Sequence, residues 1–526
     1  MGLMDRVIAS VSPEWALRRA DARMKMDFMK QIRNSGYSES GASVRKNYGR
    51  GWSADSRSPQ EDIDKNLPLL RMRSRNLVMT APLATSAIRT NRTNVVGSGL
   101  RPKPKVDRDI LGLSDAAAES WEKRTEKEFN VWAKSKHSDL RKLNNFYENQ
   151  QLILISQLMN GDGCCLFSYA DKKDHAFMPY DLRLNIIESD RICSPGSSGT
   201  NVDLFCKNKD NGNRIYNGVE IDGNGAVVAY HICSTYPNSY FGQEKKWTRV
   251  EAFGSRTGLE NILLVFDSER AEQYRGVPYL APVIESIKQL TRYTEAELMA
   301  AVIGACFTAF ITTEESRESE FFQGMVDQNE SVAEGSRDYE MGPGAINLLK
   351  PGEKVEFGDP NHPNRNFELF VMSMAKYTGA ALEIPVELLT KSFTASYSAS
   401  RAALLEAWKM FQTRRNWLVN DFCQPVYERF LMEAAARGRI QAPGFFYDPV
   451  IRQAWCGCQW NGPAPGMIDP LKEVTASEKK ISLGVSTREK EAIELNGTDF
   501  SENVRQLGKE EKEIKKYLGE DGVNDD

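Results

Sequence analysis

Three places in the chain carry residue types that could do chemistry. Cys456 and Cys458 form a C-x-C pair between Trp455 and Trp460, and paired thiolates are zinc ligands. Gly161-Asp162-Gly163 and the acidic run "TTEESRESE" at 312–320 offer carboxylates, which could hold magnesium for phosphodiester hydrolysis. Each lacks its partners. The four histidines, His137, His175, His231 and His362, stand neither at i, i+4 to one another nor beside the cysteine pair. The C-x-C therefore reads as two buried thiols, the Gly-Asp-Gly as a turn between a helix and a strand, and the acidic run as a solvated face. There is no G-x-x-x-x-G-K-[ST] phosphate loop and no G-x-S-x-G elbow, and "VVGSG" lacks the rest of a dinucleotide fingerprint. The expectation is a protein without catalytic residues, metal or cofactor.

Charge narrows the partners. The 68 basic residues against 72 acidic ones give a net charge of −4, too balanced for wholesale wrapping of nucleic acid. A DNA partner would be held locally or passed without being gripped. No apolar run of about 18 residues occurs, and the opening "MGLMDRVIASVSPEWALRRADARMKM" is too charged for a secretory signal. No membrane is expected as a partner. The nine cysteines show no disulfide spacing and are read as reduced.

A different stretch, "TKSFTASYSASRAALLEAWKMFQTRR" at 390–415, joins small hydroxyl residues to a long helical pattern. The elements that position it follow from the rest of the chain. Residues 1–65 are polar and aperiodic, an extended arm after a short amphipathic opening. Helix is expected from 66 to about 94, broken at Pro82, then a turn and strand after "VVGSGL". Helical spacing returns at 114–160 through Trp121, Phe129, Trp132, Phe146, Leu152, Ile155 and Leu158. Short strands follow in "CCLFSYA", "LRLNIIES", "RIYNGVEID", "AVVAYHIC" and "NILLVFD", with a hairpin at "IDGNGAVV". A helix over 281–310 would be a rod roughly 45 Å long. "GAINLLKPGEKVEFGDP" reads as hairpin-like, "NFELFVMSMAKYTGAALEIP" as a helix stopped before Pro385, and Leu404, Trp408, Phe411, Leu418 and Phe422 as the apolar face of a further helix that Pro425 kinks. The fold class is α+β.

In this order the segments resemble the portal proteins of tailed bacteriophages, lambda-like branch. The pieces that carry the resemblance are "RMRSRNLVMTAPLATSAIRTNRTNVVGSGLRPKP", "NIIESDRICSP", "NGVEIDGNGAVVAYHI", "QYRGVPYLAPVIESIKQLTRYTEAELMAA", "YTGAALEIPVELLTKSFTASYSASRAALLEAW", "VYERFL" and "QWNGPAPGMIDPLKEVTASEKKISLGVST". The resemblance implies a non-enzymatic, cofactor-free subunit of a ring, typically of twelve copies, at one capsid vertex. DNA is pumped in through such a ring and later ejected. Implied partners are double-stranded DNA without sequence preference, the terminase large subunit, the major capsid protein with scaffold or protease, and head-completion and tail proteins. The location is the virion, with assembly in the host cytoplasm. It also implies a division of the chain into an N-terminal arm (1–65), wing (66–280), first stem helix (281–310), clip (311–363), second stem helix (364–382), tunnel loop (383–397), long helix (398–436), and a crown-like region with a charged tail (437–526). A phage DNA-processing enzyme, nuclease or terminase-related, is the alternative, and it would need the phosphate loop or spaced carboxylates that the sequence lacks.

The tunnel loop is the narrowest point of the channel in that family. Duplex DNA carries a charge per ~1.7 Å of axis, so a ring of strongly basic loops would stall it, whereas hydroxyls let it slide. Lys391, Ser392, Thr394, Ser396 and Tyr397 are the candidates to face DNA. Against this stands an ordinary helix entry, with Ser398 as N-cap and Phe393 and Tyr397 packed inside. Arg73, Arg75, Arg89 and Arg92 form either a DNA patch or an intersubunit or solvated face. Tyr293, Glu295 and Glu297 belong either to an acidic wall or to ring-forming salt bridges, and Trp408, Phe411 and Trp417 to core or interface.

Overall fold

A computed structural model describes residues 55–170, 177–197, 205–239, 244–306, 310–313, 353–356, 366–393, 396–466 and 469–518, with Asp203 and a few positions before residue 27. The chain divides into two units, Met1–Ser58 and Pro59–Asp526. In the first, helical backbone is described at 14–15, 21–22 and 24–26, with an Asp21–Lys25 ion pair of 2.9 Å. All that follows concerns the second.

Proline punctuates its first helices. Helix α1 (Leu67–Thr80) carries Pro68 in its first turn, and α2 (Pro82–Val95) opens on Pro82, where the missing N–H has no intrahelical partner to lose. After α2 the chain turns through glycines into strand β1 (Arg101–Pro104). Helix α3 (Asp115–Ala133) is capped by the Ser114 side chain. The capping box of α4 (Phe146–Asn160) pairs Asn145 with Glu148.

Seven antiparallel strands follow in two sheets. β2 (Asp162–Tyr169) lies between β3 (Leu182–Ile187) and β8 (Ile262–Phe266). β4 (Arg214–Tyr216), β5 (Val219–Ile221), β6 (Val227–Cys233) and β7 (Trp247–Glu251) make a meander, with the expected hairpin between β5 and β6. Sequence patterning located all of these except β7, whose residues are exposed or half-exposed.

Helix α5 (Ile284–Cys306) corrects the expected rod over 281–310. It spans 23 residues, about 35 Å at 1.5 Å per residue, because Pro282 confines 281–283 to a 3-10 turn and Phe310 opens strand β9 (Phe310–Thr313). β9 pairs with β10 (Glu353–Glu356) inside the expected clip; the rest of 311–363 lies outside the described residues. Helix α6 (Phe367–Ala381) ends before Pro385, and α7 (Val386–Thr390) is one short turn. Helix α8 (Tyr397–Leu418) runs through a π-helical turn (Val419–Cys423) into α9 (Gln424–Ala436), with the stagger falling just before Pro425.

The chain then folds back. Helix α10 (Pro449–Trp455) leads into β11 (Cys458–Asn461), which pairs antiparallel with β1 some 350 residues earlier. The segment expected as crown-like (437–526) thus reaches back, through β11, to a strand of the segment expected as the wing (66–280). Helices α11 (Pro470–Ser482), α12 (Arg488–Asn496) and α13 (Phe500–Leu518) complete the described chain.

The core is aromatic. Phe129 has the rings of Trp132, Phe146, Tyr427, Phe430 and Trp460 at 5.0–6.3 Å, mostly edge to face, which joins α3, α4, α9 and β11 around one side chain. Full burial of one such ring stabilises by roughly 1.5–3 kcal/mol. Phe411 is part of the same core, Trp408 packs against it and Trp417 is half exposed. Among the described residues no helix is long and apolar enough to cross a membrane.

Candidate functional site

The hydroxyl-rich segment hangs between α6 and α8, and its base is held from two sides. Gly379 lets the chain fold back at the end of α6. Ile384 N–H donates to Gly379 O at 2.9 Å, and a Cβ on Gly379 would lie 2.5 Å from Ile384 O. Glu383 and Lys391 take left-handed backbone (φ 55° and 58°), so non-glycine residues in an unfavourable conformation stand before and after α7. Such residues persist where surrounding contacts over-determine them, and here those contacts are present.

On one side α7 rests on α2. Leu389 is buried in the core, Ser86 Oγ donates to Leu389 O at 2.7 Å, and Lys391 Nζ donates to Thr90 Oγ1 at 2.7 Å. On the other, the Tyr279 hydroxyl donates to Leu382 O, and the Arg414 guanidinium lies 4.3 Å from the Tyr279 ring centre. Arg414 also donates to Asn91 Oδ1 at 2.6 Å and stands 3.8 Å from the Glu383 carboxylate. Its neighbour Arg415 donates to Asn94 O, Val95 O and Pro463 O at 2.9–3.0 Å. Burial without a carboxylate pushes Arg415 down to about 10. Two consecutive arginines thereby fasten α8 to α2.

The expected residues separate on this frame. Lys391 is exposed, but its ammonium turns back to Thr90. Ser392 and Ser396 are exposed, and Ser396 is the N-cap residue of α8, its hydroxyl 3.4 Å from that of Ser398. Thr394 and the Tyr397 side chain lie outside the described residues. Of the helix-entry reading, the N-cap falls at Ser396 and not at Ser398, which sits inside the first turn, and Phe393 is 54% exposed. Tyr293 stacks on Phe367 at 5.9 Å and meets Phe370 edge to face at 4.7 Å, which fastens α5 to α6.

The Gly-Asp-Gly turn holds something that patterning missed. Asp162 is buried and accepts from Arg275 Nε at 2.7 Å and Arg71 Nη2 at 3.0 Å. Burial alone would raise its carboxyl, but the two arginines outweigh burial and hold it at about 2. Asp64, buried beside them, is pushed up to about 7 by burial against the pull of the same arginines. Gly161 and Gly276 touch backbone to backbone: a Cβ on Gly276 would lie 1.8 Å from Gly161 O. The cluster locks α1, β2 and the approach to α5 together. One signal was legible, because Arg71 falls on the buried stripe Leu67, Arg71, Ser74, Leu77 of α1. Arg75 is likewise structural, pairing with Glu188 and Asp190 at 3.1 and 2.5 Å, whereas Arg73 and Arg89 are exposed.

Elsewhere, His231 pairs with Glu220 at 2.9 Å, together with Arg249, and Cys456 is buried beside Trp455. Among the described residues no group of three or more His, Cys, Asp or Glu is placed to hold a metal ion. His175, His362 and most of the acidic run at 312–320 lie outside the described residues.

A family model described as phage portal protein, lambda family, matches residues 45–415. Portal protein B of Escherichia phage lambda is 24% identical over 482 residues, covering 88% of this chain and 87% of that one. The portal protein of Escherichia phage N15 is 23% identical over 482 residues, with 88% of each covered. Among solved structures, a chain of the neck of an empty gene transfer agent particle is 12% identical with a TM-score of 0.42, covering 86% of this chain and 100% of that one.

Proposed function

Because the chain belongs to the lambda family of phage portal proteins, we propose that its copies close into a ring, of twelve subunits, whose channel carries double-stranded DNA past residues 383–397. It is a phage portal subunit, the head–tail connector, and a structural protein, not an enzyme. In the proposed arrangement α5 and α6 are the stem pair, β9 and β10 begin and end the clip, and α8 with α9 is the long helix behind the tunnel loop. The terminase large subunit docks on the ring during packaging, the capsid protein surrounds it, and head-completion and tail proteins replace the motor.

The observation that carries this reading is the contrast within one short segment. Its base is pinned by Ser86, Thr90, Tyr279 and Arg414, while Ser392, Phe393 and Ser396 are exposed beyond the pins. A fixed base with an exposed hydroxyl tip can touch a moving polyanion without gripping it.

The purified chain, viewed by negative-stain electron microscopy with light scattering for mass, should form rings with a central hole wide enough for duplex DNA. A compact dimer or a filament would overturn the ring. For the loop, particles assembled with Ser392→Glu and Ser396→Glu should package less DNA through charge repulsion, and unchanged packaging would remove 383–397 from the channel.

A further inference from the structure

The outer side of α2 floors a recess of about 510 Å3, bordered by Met79 and Thr80 at the end of α1 and by Lys391 at the end of α7. Among the described residues two cations line it, Arg89 and Lys391, and no carboxylate does. Arg89 is exposed and makes no ion pair among the described residues. Lys391 is anchored to Thr90 Oγ1 at 2.7 Å, and burial, with no carboxylate to offset it, pushes its ammonium down.

Most other polar side chains of the recess bond the chain itself, and Thr90, whose Oγ1 accepts from Lys391, keeps its hydroxyl proton for a ligand. Thr80, Thr85, Ser86 and Thr93 donate their hydroxyl protons to the carbonyls of Asn76, Val78, Leu389 and Arg89, and the Asn94 amide donates to Thr90 O, all at 2.6–2.9 Å. What the recess offers outward is therefore a planar guanidinium fork, the remaining ammonium protons and the Thr90 hydroxyl. Among the described residues neither charge has a counter-ion within it. An anion with two oxygens in one plane satisfies the fork, and a second cation alongside favours the compact charge of a phosphodiester.

We propose that Arg89 and Lys391 of each copy together seat one backbone phosphate of duplex DNA at the root of the tunnel loop. This rests on the channel reading above. The contact carries no base information, because nothing in the recess presents an ordered donor pattern to a groove edge. One phosphate per copy binds weakly, so successive phosphates exchange as the duplex advances. Arg89 lies some 300 residues before the loop, and only the fold puts it there.

The test is binding of a short fluorescent duplex to the assembled full chain, read by anisotropy across a salt series. Arg89→Gln and Lys391→Gln, present in every copy, should each weaken binding and flatten the slope of log affinity against log salt by up to about 0.9 for each copy that engages a phosphate, and Arg89→Lys should keep most of both. A double Gln variant with the parent's affinity and slope overturns the proposal. If Ser392→Glu and Ser396→Glu weaken binding while the double variant does not, the loop stays in the channel and the phosphate seat falls. If the parent ring binds no duplex at low salt, both fall. If instead the double variant lowers the assembled mass and leaves DNA affinity unchanged, the recess holds a carboxylate of a neighbouring copy, and the phosphate assignment is wrong. Arg89→Gln breaks no described contact, so its effect is separable from folding.

Discussion

Replacing Asp162 with asparagine preserves shape and removes one charge, which isolates what the buried ion cluster contributes. Arg71 and Arg275, each at most 2% exposed, would lose the carboxylate that sits 3.0 and 2.7 Å from their nitrogens. Stranding one partner of a buried pair costs about 3–5 kcal/mol. The depression of Asp162 from 3.8 to about 2 is worth roughly 2.5 kcal/mol on its own. Asp64 limits the loss. It lies beside the same arginines, and with Asp162 neutral their pull on it is no longer opposed. The expected destabilisation is therefore about 3 kcal/mol, toward the low end of the range. Its sign with pH follows from a folded pKa below the unfolded one. The stabilisation is fully present above the unfolded pKa near 4 and is lost as pH falls toward 2. Urea unfolding followed by tryptophan fluorescence at pH 7 should show the lower midpoint, and lowering the pH from 5 should shrink the gap between Asp162→Asn and its parent. A variant within about 1 kcal/mol of the parent at pH 7 would refute the claim that Asp162 neutralises this cluster.

Two further outcomes test neighbouring parts of the same region. Asp64 has a folded pKa raised to about 7 from 3.8, so the folded state loses stability as pH rises from about 4 to 7. Asp64→Asn should match the parent near pH 4 and melt higher at pH 8, by up to about 4 kcal/mol; equal shifts at both pH values would count against a neutral buried Asp64. Gly276→Ala should fail to accumulate as folded protein, since its Cβ would overlap Gly161 O, while Gly223→Ala, with nothing within 4 Å, should be tolerated; soluble yield and melting temperature decide it.

Local rules explain which elements were readable. Pro82, Pro385 and Pro425 act on their own turn of backbone, so the break between α1 and α2, the end of α6 and the stagger before α9 needed no tertiary information. β2, β3, β6 and β8 bury enough apolar side chains to show in the pattern. β7 carries Arg249 and Glu251 on an edge strand whose partner β6 lies on one side only, and edge strands are polar for a reason that erases their signal. The overlong rod has the opposite cause: helical spacing continued through residues that the chain uses to open β9.

The loop and its support divide along the same line. A run of Ser, Thr, Ala and Tyr before a helix advertises a pliant segment through composition alone, and Ser392 and Ser396 are exposed. What holds the segment is a property of pairs. Ser86 and Thr90 meet Leu389 and Lys391 across 303 and 301 residues, and Arg71 and Arg275 meet Asp162 across 91 and 113. In the sequence Lys391 is a solitary cation in a hydroxyl loop, which suggests a side chain pointing into the channel; the fold turns its ammonium toward α2 and sets Arg89 in the same recess. On the proposed phosphate seat, the DNA contact expected of Lys391, Ser392, Thr394, Ser396 and Tyr397 extends to a second segment, and a substitution at Arg89 in α2, far from the loop in sequence, should alter how the duplex is held.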